Sequence, residues 1–186
     1  MGGLGDVVEV PRTGEKFVFL KRPRDTNGEL FEIEFFVRDF ALVAARPHIH
    51  TNTEQVEVIA GRALMRKGRE ELSLGPGETL VIPAGVVHSI RREGEEFLHF
   101  RLQFRPPMNV ETMFETVIGL HRDGKNFRHP LLAAVLAREH DTYLGGPPIR
   151  LQKPLIVVLA AVGRLFGYRA RYEKYSGPEA EEDGAG

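Results

Sequence analysis

The chain has no cysteine and no tryptophan among its 186 residues. Without cysteine there can be neither disulfide bonds nor thiolate metal ligands, and we expect a cytoplasmic location. The net charge is close to zero, because 25 lysine and arginine residues stand against 26 aspartate and glutamate residues. We therefore expect no nucleic-acid partner bound through phosphate neutralisation. Residues 1–10 lack the basic and apolar segments of a secretory signal, so none is expected.

Long hydrophobic runs are missing as well. Residues 155–162 are eight apolar residues that end at Gly163 and Arg164, whereas a membrane span needs about 20. A helix lying on a membrane surface is one alternative, because basic residues flank this segment. We favour a helix that packs its apolar stripe on the barrel or on a partner subunit. The flanking basic residues are Arg150, Lys153, Arg164, Arg169, Arg171 and Lys174.

Short apolar segments separated by turns fill the first half of the chain. Residues 17–20 and 30–40 are two such segments, and the turn sequence at 25–28 between them predicts a hairpin. Many short strands at close spacing with glycine-rich turns indicate an antiparallel sandwich or barrel. The apolar residues of the second segment, predicted to share one strand face, are Phe31, Ile33, Phe35 and Val37.

After residue 106 the periodicity changes to that of helices. Asn109 is placed to cap a first helix, and Pro130 is placed as the first residue of a second. The third helix carries the apolar stripe Leu151, Leu155, Val158, Leu159, Val162, Leu165 and Phe166. We predict a β domain over 1–106, a helical extension over 107–175, and a disordered acidic tail over 176–186.

Four residues in the β domain have the side chains and spacing of a metal site. His48 and His50 lie two residues apart, so a strand presents both on one face, and Glu54 keeps the same parity. His88 arrives on a returning strand after the turns 75–77 and 83–85. Three imidazoles and a carboxylate suit a divalent transition metal, namely Fe, Mn, Ni, Co or Zn, and the ligand types do not choose among them.

These residues also carry a family resemblance. His48-x-His50-x-x-x-Glu54, followed by Gly61, resembles the first cupin motif, and Gly77, Pro83-x-Gly85 and His88 resemble the second. Two positions depart from the family pattern: Leu42 replaces a glycine before the first motif, and Arg92 replaces an asparagine after the second.

The resemblance implies a mainly β fold: a cupin-type jelly-roll barrel, with its core motifs at 47–92, followed by C-terminal α-helices. It also implies a small-molecule substrate or ligand and a homodimer, paired through sheet edges or added helices.

Three functions are compatible with such a site. Four protein ligands leave positions open on a metal that prefers six, and similar cupins use them for dioxygenation of small molecules. We favour a dioxygenase or related oxidoreductase. The alternatives are a metal-dependent isomerase or lyase without redox chemistry, and a non-catalytic small-molecule-binding barrel.

The cavity walls are less determined by the sequence. Arg92 shares a strand face with His88, and it either clamps a substrate carboxylate or leaves the barrel end. On the last strand His99, Arg101 and Gln103 alternate with Leu98, Phe100, Leu102 and Phe104, and parity alone does not say which set lines the cavity. Arg92 and the polar set of this strand are our candidate substrate residues.

The apolar residues of the first helix either cover the barrel mouth or pack in the core, and we favour core packing. They are Met113, Phe114, Val117 and Ile118. The histidines of the helical extension, His121, His129 and His140, are expected to face solvent.

Overall fold

Strands dominate a little over the first half of the chain, up to Arg105, in the computed structural model, which describes residues 6–38, 45–126 and 128–176. Leu42, and the predicted disordered tail apart from Ser176, lie outside these residues. The strands are β1 (Asp6–Val10), β2 (Glu15–Lys21), β3 (Phe31–Val37), β4 (His48–Ile49), β5 (Thr53–Ala60), β6 (Arg62–Lys67), β7 (Glu70–Leu74), β8 (Thr79–Ile82), β9 (His88–Glu93) and β10 (Leu98–Arg105).

The later elements are mostly helical. They are α1 (Val110–Arg122), α2 (Pro130–Glu139), a short strand β11 (Tyr143–Leu144), α3 (Ile149–Leu165) and α4 (Glu173–Ser176). The three long helices fall where the periodicity predicts them. Asn109 precedes α1 as expected, but its side chain donates to the carbonyl of Glu139 instead of capping the helix.

Two antiparallel sheets form the β fold. One has six strands in the order β1-β2-β3-β10-β5-β8, and the other has five in the order β11-β4-β9-β6-β7. The predicted hairpin is β2 with β3. The alternation predicted for β3 is confirmed, because Phe31, Ile33, Phe35 and Val37 are all fully buried.

The core between the sheets is rich in phenylalanine. Phe35 stacks on Phe100 of β10 with ring centroids 4.8 Å apart, and it meets Phe17 edge-on at 5.4 Å. Phe114 of α1 joins the same cluster, 5.4 Å from Phe35. The first helix is therefore packed on the barrel core, as favoured from the sequence.

Buried charges also hold α1 on the barrel. Arg22 is buried and donates to the carboxylates of Glu111 and Glu115 on α1. At the other end of the helix, His121 is buried and lies 2.6 Å from the carboxylate of Glu15 on β2. The expectation that His121 faces solvent is wrong, because a carboxylate 106 residues earlier supplies its partner.

The second part of the helical extension is joined to the five-stranded sheet. β11 pairs with β4, with Leu144 opposite His48. α2 packs against α3 through a small cluster of Ala134, Val135 and Ala160. His140, which follows α2, is buried and not solvent-facing as expected, and His129 is half-buried.

Much of the apolar stripe of α3 is open to solvent. Leu151, Leu155, Val158 and Leu165 are 64%, 59%, 61% and 87% exposed, and Phe166 just after the helix is 74% exposed. The stripe therefore does not pack on the described part of the barrel. Among all the residues that the structure describes, no helix is both long enough and apolar enough to cross a membrane.

Candidate metal centre

Three structural elements bring the four predicted ligands together. His48 lies on β4, and His50 follows it directly. Glu54 lies on β5 of the other sheet, while His88 begins β9 and stands opposite His48 in the pairing of β4 with β9. The parity of Glu54 with the two histidines predicts one continuous strand, but the structure divides this segment between β4 and β5. The chain bends at Thr51 and Asn52 and changes sheet, so Glu54 faces the histidines from the opposite wall.

The four side chains converge tightly. One donor atom from each lies within 4.8 Å of all the others, and all four residues are buried. The ring centroids of His48 and His88 are 4.2 Å apart, and those of His50 and His88 are 4.7 Å apart. Such a cluster could hold one metal ion.

Backbone carbonyls orient two of the imidazoles. Nδ1 of His48 lies 3.0 Å from the carbonyl of Arg46, and Nδ1 of His88 lies 2.8 Å from that of Val86. A carbonyl only accepts hydrogen bonds, so each Nδ1 carries a proton, and in the neutral ring Nε2 is then the nitrogen with the lone pair. Outer hydrogen bonds of this kind orient the histidines of metal sites. The donor set therefore fits a divalent metal.

Glu54 links the histidines within the cluster. One of its carboxylate oxygens lies 3.1 Å from Nε2 of His50 and 3.2 Å from Nε2 of His88. Nδ1 of His50 is buried without a hydrogen-bond partner in the described structure. A carboxylate shared by two ring nitrogens, with a further nitrogen unsatisfied, suits a site that a cation completes.

The electrostatics of the cluster favour the charged form of Glu54. Burial raises the pKa of this carboxyl, but its hydrogen bonds with His50 and His88 lower it far more, well below the usual value. Burial lowers the pKa of His88, yet the hydrogen bond and charge of Glu54 raise it overall. Burial and the neighbouring His88 lower the pKa of His48 to about 4. His48 thus stays neutral at physiological pH, as a metal ligand must be.

The loop before His88 is tied to the first two histidines. Gly85 has a positive φ of 77°, a conformation that glycine adopts without strain. Its N–H donates to the carbonyl of His50 at 2.9 Å. This bond fixes the turn that delivers His88 to the cluster.

A narrow cavity of about 40 Å³ is lined by three of the four residues, His48, His50 and Glu54. Its polar lining apart from the histidines and Glu54 is Asn52 and Thr142. The apolar wall consists of Leu102 and Phe104 from β10 and of Val110, Met113, Phe114 and Val117 from α1. Helix α1 therefore both packs in the core and covers this end of the barrel.

A larger groove of about 340 Å³ lies elsewhere, between β1, β2 and the residues Phe36 and Phe97. It shares no lining residue with the cavity beside the histidines. The volume alone would favour this groove, but the convergent donor atoms lie beside the smaller cavity, which we take as the functional site.

The polar candidates on β10 lie on the other face of the sheet. His99 and Arg101 pair with Glu34 at 3.1 Å and 2.7 Å, and Gln103 donates to Glu32 at 2.6 Å. Their assignment to the cavity wall is corrected, since the apolar set of this strand is buried inside and provides Leu102 and Phe104. The polar set faces outward because acidic partners on the neighbouring strands satisfy it there.

Arg92 is also remote from the cavity. It shares the strand face of His88, as predicted, but it is half-buried near the far end of β9. Its guanidinium donates to the carbonyl of Glu96 at 3.3 Å, and it does not line the cavity. Of the two alternatives open from the sequence, the exit from the barrel end therefore fits the structure.

Sequence reasoning missed two polar residues of the cavity. Asn52 is buried and donates to the carbonyl of Pro106 at 2.6 Å. It has the same parity as His48 and His50, so the two-residue spacing could have indicated that Asn52 lines the cavity. Thr142 comes from the segment between α2 and β11, and no local pattern links it to the site.

Residues 43–102 match the family model of the cupin domain. This segment is a cupin domain. The match covers both motifs, and the two sheets followed by C-terminal helices confirm the fold that the resemblance implied. None of the curated proteins matches the chain in sequence.

Several solved structures resemble part of the chain. An RmlC-like cupin from Shewanella frigidimarina NCIMB 400 is 19% identical, with a TM-score of 0.45, over 57% of this chain and 87% of that one. The polyketide cyclase RemF from Streptomyces resistomycificus is 19% identical, with a TM-score of 0.45, over 57% and 80%. KdgF from Halomonas sp. is 19% identical, with a TM-score of 0.43, over 56% and 94%. At this level of similarity, substrate and reaction have to be argued from the site itself.

Proposed function

We propose that this protein is a metal-dependent cupin enzyme that oxidises a small molecule, in the manner of a dioxygenase. His48, His50, Glu54 and His88 hold one divalent transition metal. The observation that carries the proposal is the convergence of these four buried donor atoms within 4.8 Å beside a cavity. The carbonyl contacts at Nδ1 of His48 and His88, which make Nε2 the ligating nitrogen of each neutral ring, support it.

A bound metal supplies a Lewis-acid centre with positions for exogenous ligands and, when it is iron or another redox-active ion, electrons for dioxygen. The chain's own residues prepare the site. Glu54 contributes negative charge, which offsets part of the cation's charge in a buried place. The backbone carbonyls of Arg46 and Val86 hold two imidazoles in the ligating tautomer.

The cavity walls define the class of substrate. Phenylalanine, leucine, valine and methionine side chains surround most of the space, so the body of the substrate is apolar or aromatic. Among the described residues that line the cavity there is no lysine or arginine, so a multiply charged anion is disfavoured. Asn52 has a second amide N–H that can donate to a substrate oxygen, and the hydroxyl of Thr142, which donates to the carbonyl of His140 at 3.2 Å, can accept from a substrate hydroxyl. This fits a small catechol-like molecule or an enolised diketone.

The same lining favours oxidation over redox-neutral isomerisation or elimination. Those reactions move protons, and they need an acid or base beside the substrate. Apart from His48, His50 and Glu54, the lining residues within the described part of the chain include no histidine and no carboxylate. Oxidation of a substrate that chelates the metal depends less on an additional acid or base in the cavity wall.

The test is oxygen uptake by metal-loaded protein. The protein is stripped with chelator, reloaded anaerobically with Fe(II), and mixed with catechols, diketones and thiols in aerated buffer. We expect uptake with at least one substrate and an oxygenated product by mass spectrometry, and neither with Zn(II). The matched control is Glu57→Gln, on the same strand as Glu54 but paired with Arg101, which should retain activity. Turnover with Zn(II) or Mn(II) without oxygen would assign the site to an isomerase or lyase instead.

A further inference from the structure

The exposed face of α3 has a regular spacing. Leu151, Leu155, Val158, Val162 and Leu165 follow one another at intervals of four, three, four and three residues. This is the a/d spacing with which one helix packs along another. The opposite face of α3, with Gln152, Ala160 and Gly163, is already buried within the protein. Four of the five a/d side chains are more than half exposed, and Val162 is half-buried.

Uncharged residues flank this stripe. The positions beside it are occupied by Pro154, Leu159 and Ala161, and α3 contains no acidic residue. The basic residues of the helix lie off the stripe, and one of them, Arg164, pairs with Glu139 at 3.1 Å. A helix that binds anionic lipid needs an array of cations beside its apolar face, whereas a helix that pairs with its own copy needs an uncharged seam. The charge distribution favours the second.

The size of the face also points to a protein partner. With Val157 and Phe166, six large apolar side chains are 45% to 87% exposed here. They present on the order of 600 Å², which is the upper limit of apolar patches on monomers and approaches the roughly 800 Å² that each partner contributes to a stable interface.

We propose that α3 packs against α3 of a second copy of this chain in a homodimer with two-fold symmetry. Both copies contribute the same patch, so the interface is self-complementary. The apolar stripe that lies exposed in one chain is thereby buried in the pair. The proposed metal chemistry is independent of this pairing.

Sedimentation at micromolar concentration tests the proposal. The wild-type protein should sediment with about twice the 20.9 kDa mass of the chain. The double variant Leu155→Glu with Val158→Glu should sediment as a monomer, since four buried charges would meet in the pair. Val81→Glu is the matched control, because Val81 is 47% exposed on β8, away from α3. It should remain dimeric.

Cross-linking gives a second measurement, which does not require that the glutamate double variant folds. Because the chain has no cysteine, Val158→Cys carries a single thiol, which a short bis-maleimide should link to that of the second copy. Val81→Cys should give no cross-link. A wild-type monomer, or a dimer that only the Val81→Glu change dissociates, overturns the proposal. A monomer that floats with phosphatidylserine vesicles also overturns it and assigns the face to lipid.

Discussion

Nε2 of His88 lies 3.2 Å from a carboxylate oxygen of Glu54, although 34 residues separate them in the chain. The two residues belong to different sheets, so the contact spans the barrel interior. The same oxygen reaches His50 at 3.1 Å. Glu54 is thus the residue that joins His50 of the first motif to His88 of the second.

Replacing Glu54 by glutamine should weaken metal binding strongly. The amide keeps the size of the side chain but loses the negative charge and the anionic donor. Loss of outer-shell partners alone lowers metal affinity by about 10- to 100-fold, so loss of this ligand should exceed that range. Isothermal titration with Zn(II) and Fe(II) measures the change. Unaltered affinity in Glu54→Gln, with Glu57→Gln as the control, would remove Glu54 from the ligand set.

His140 should make the protein less stable in acid. Burial lowers its pKa to about 4 from an ordinary 6.5, although a backbone contact with Asn109 partly offsets this. Between these values the unfolded chain binds a proton that the folded protein does not, so stability falls as the pH falls from 6.5 to 4. The loss attributable to His140 is at most about 3 kcal/mol.

Urea unfolding at several pH values tests the role of His140. His140→Gln should show a smaller stability difference between pH 6.5 and pH 4 than the wild type. His129→Gln, which changes a half-buried histidine at the start of α2, should retain the wild-type dependence. If the free energy of unfolding changed equally with pH in all three proteins, the pKa of His140 would not be lowered in the folded state.

Gln152 should support the metal centre from a distance. Its amide donates to the carbonyls of Leu144 and Pro147 and accepts from the N–H of Leu144, so it holds β11 against β4 beside His48. Gln152→Ala leaves these backbone groups unpaired. We expect about tenfold weaker metal binding and faster amide exchange in β11.

Arg150→Ala is the control for Gln152, since Arg150 is exposed on the same helix. It should change neither metal affinity nor exchange. Faster exchange in β11 with undiminished metal affinity would show that β4 holds His48 without help from β11.

Met113 and Phe114 should differ in their effects, although both line the cavity. Met113 is half-buried, so Met113→Ala should cost roughly 1–2 kcal/mol and admit larger ligands. Phe114 contacts Phe31, Phe35 and Phe104, so Phe114→Ala should cost about 3–5 kcal/mol. Thermal unfolding and a ligand-size series separate the two. Equal stability losses would contradict the assignment of Met113 to the cavity wall.

The short-range sequence pattern was sufficient to predict the hairpin, the buried face of β3 and the residues of the candidate metal centre. The alternation in β3 and the turn before it predict the hairpin and its buried face, and the two motifs predict which residues converge. Glycine and proline positions carry much of this signal: the N–H of Gly85 bonds to His50, and the carbonyl of Pro83 accepts from Val86 within the turn before His88.

The remaining features depend on partners distant in sequence. The polar face of β10 points outward because Glu32 and Glu34 lie on β3, some 65 to 71 residues earlier. His121 can be buried because its Nε2 is paired with the carboxylate of Glu15. β11 pairs with β4 and is also contacted by the side chain of Gln152 from α3, and no periodicity within either two-residue strand indicates this pairing.

Elemental analysis of the purified protein, paired with circular dichroism, tests the central claim most directly. The wild type should carry close to one equivalent of a transition metal. His50→Ala should carry far less while keeping its β-sheet spectrum, because much of the phenylalanine core, such as the packing of Phe35 on Phe17 and Phe100, does not involve His50. Wild-type protein that binds no metal even after reloading, or a His50→Ala variant with full occupancy, would contradict the account.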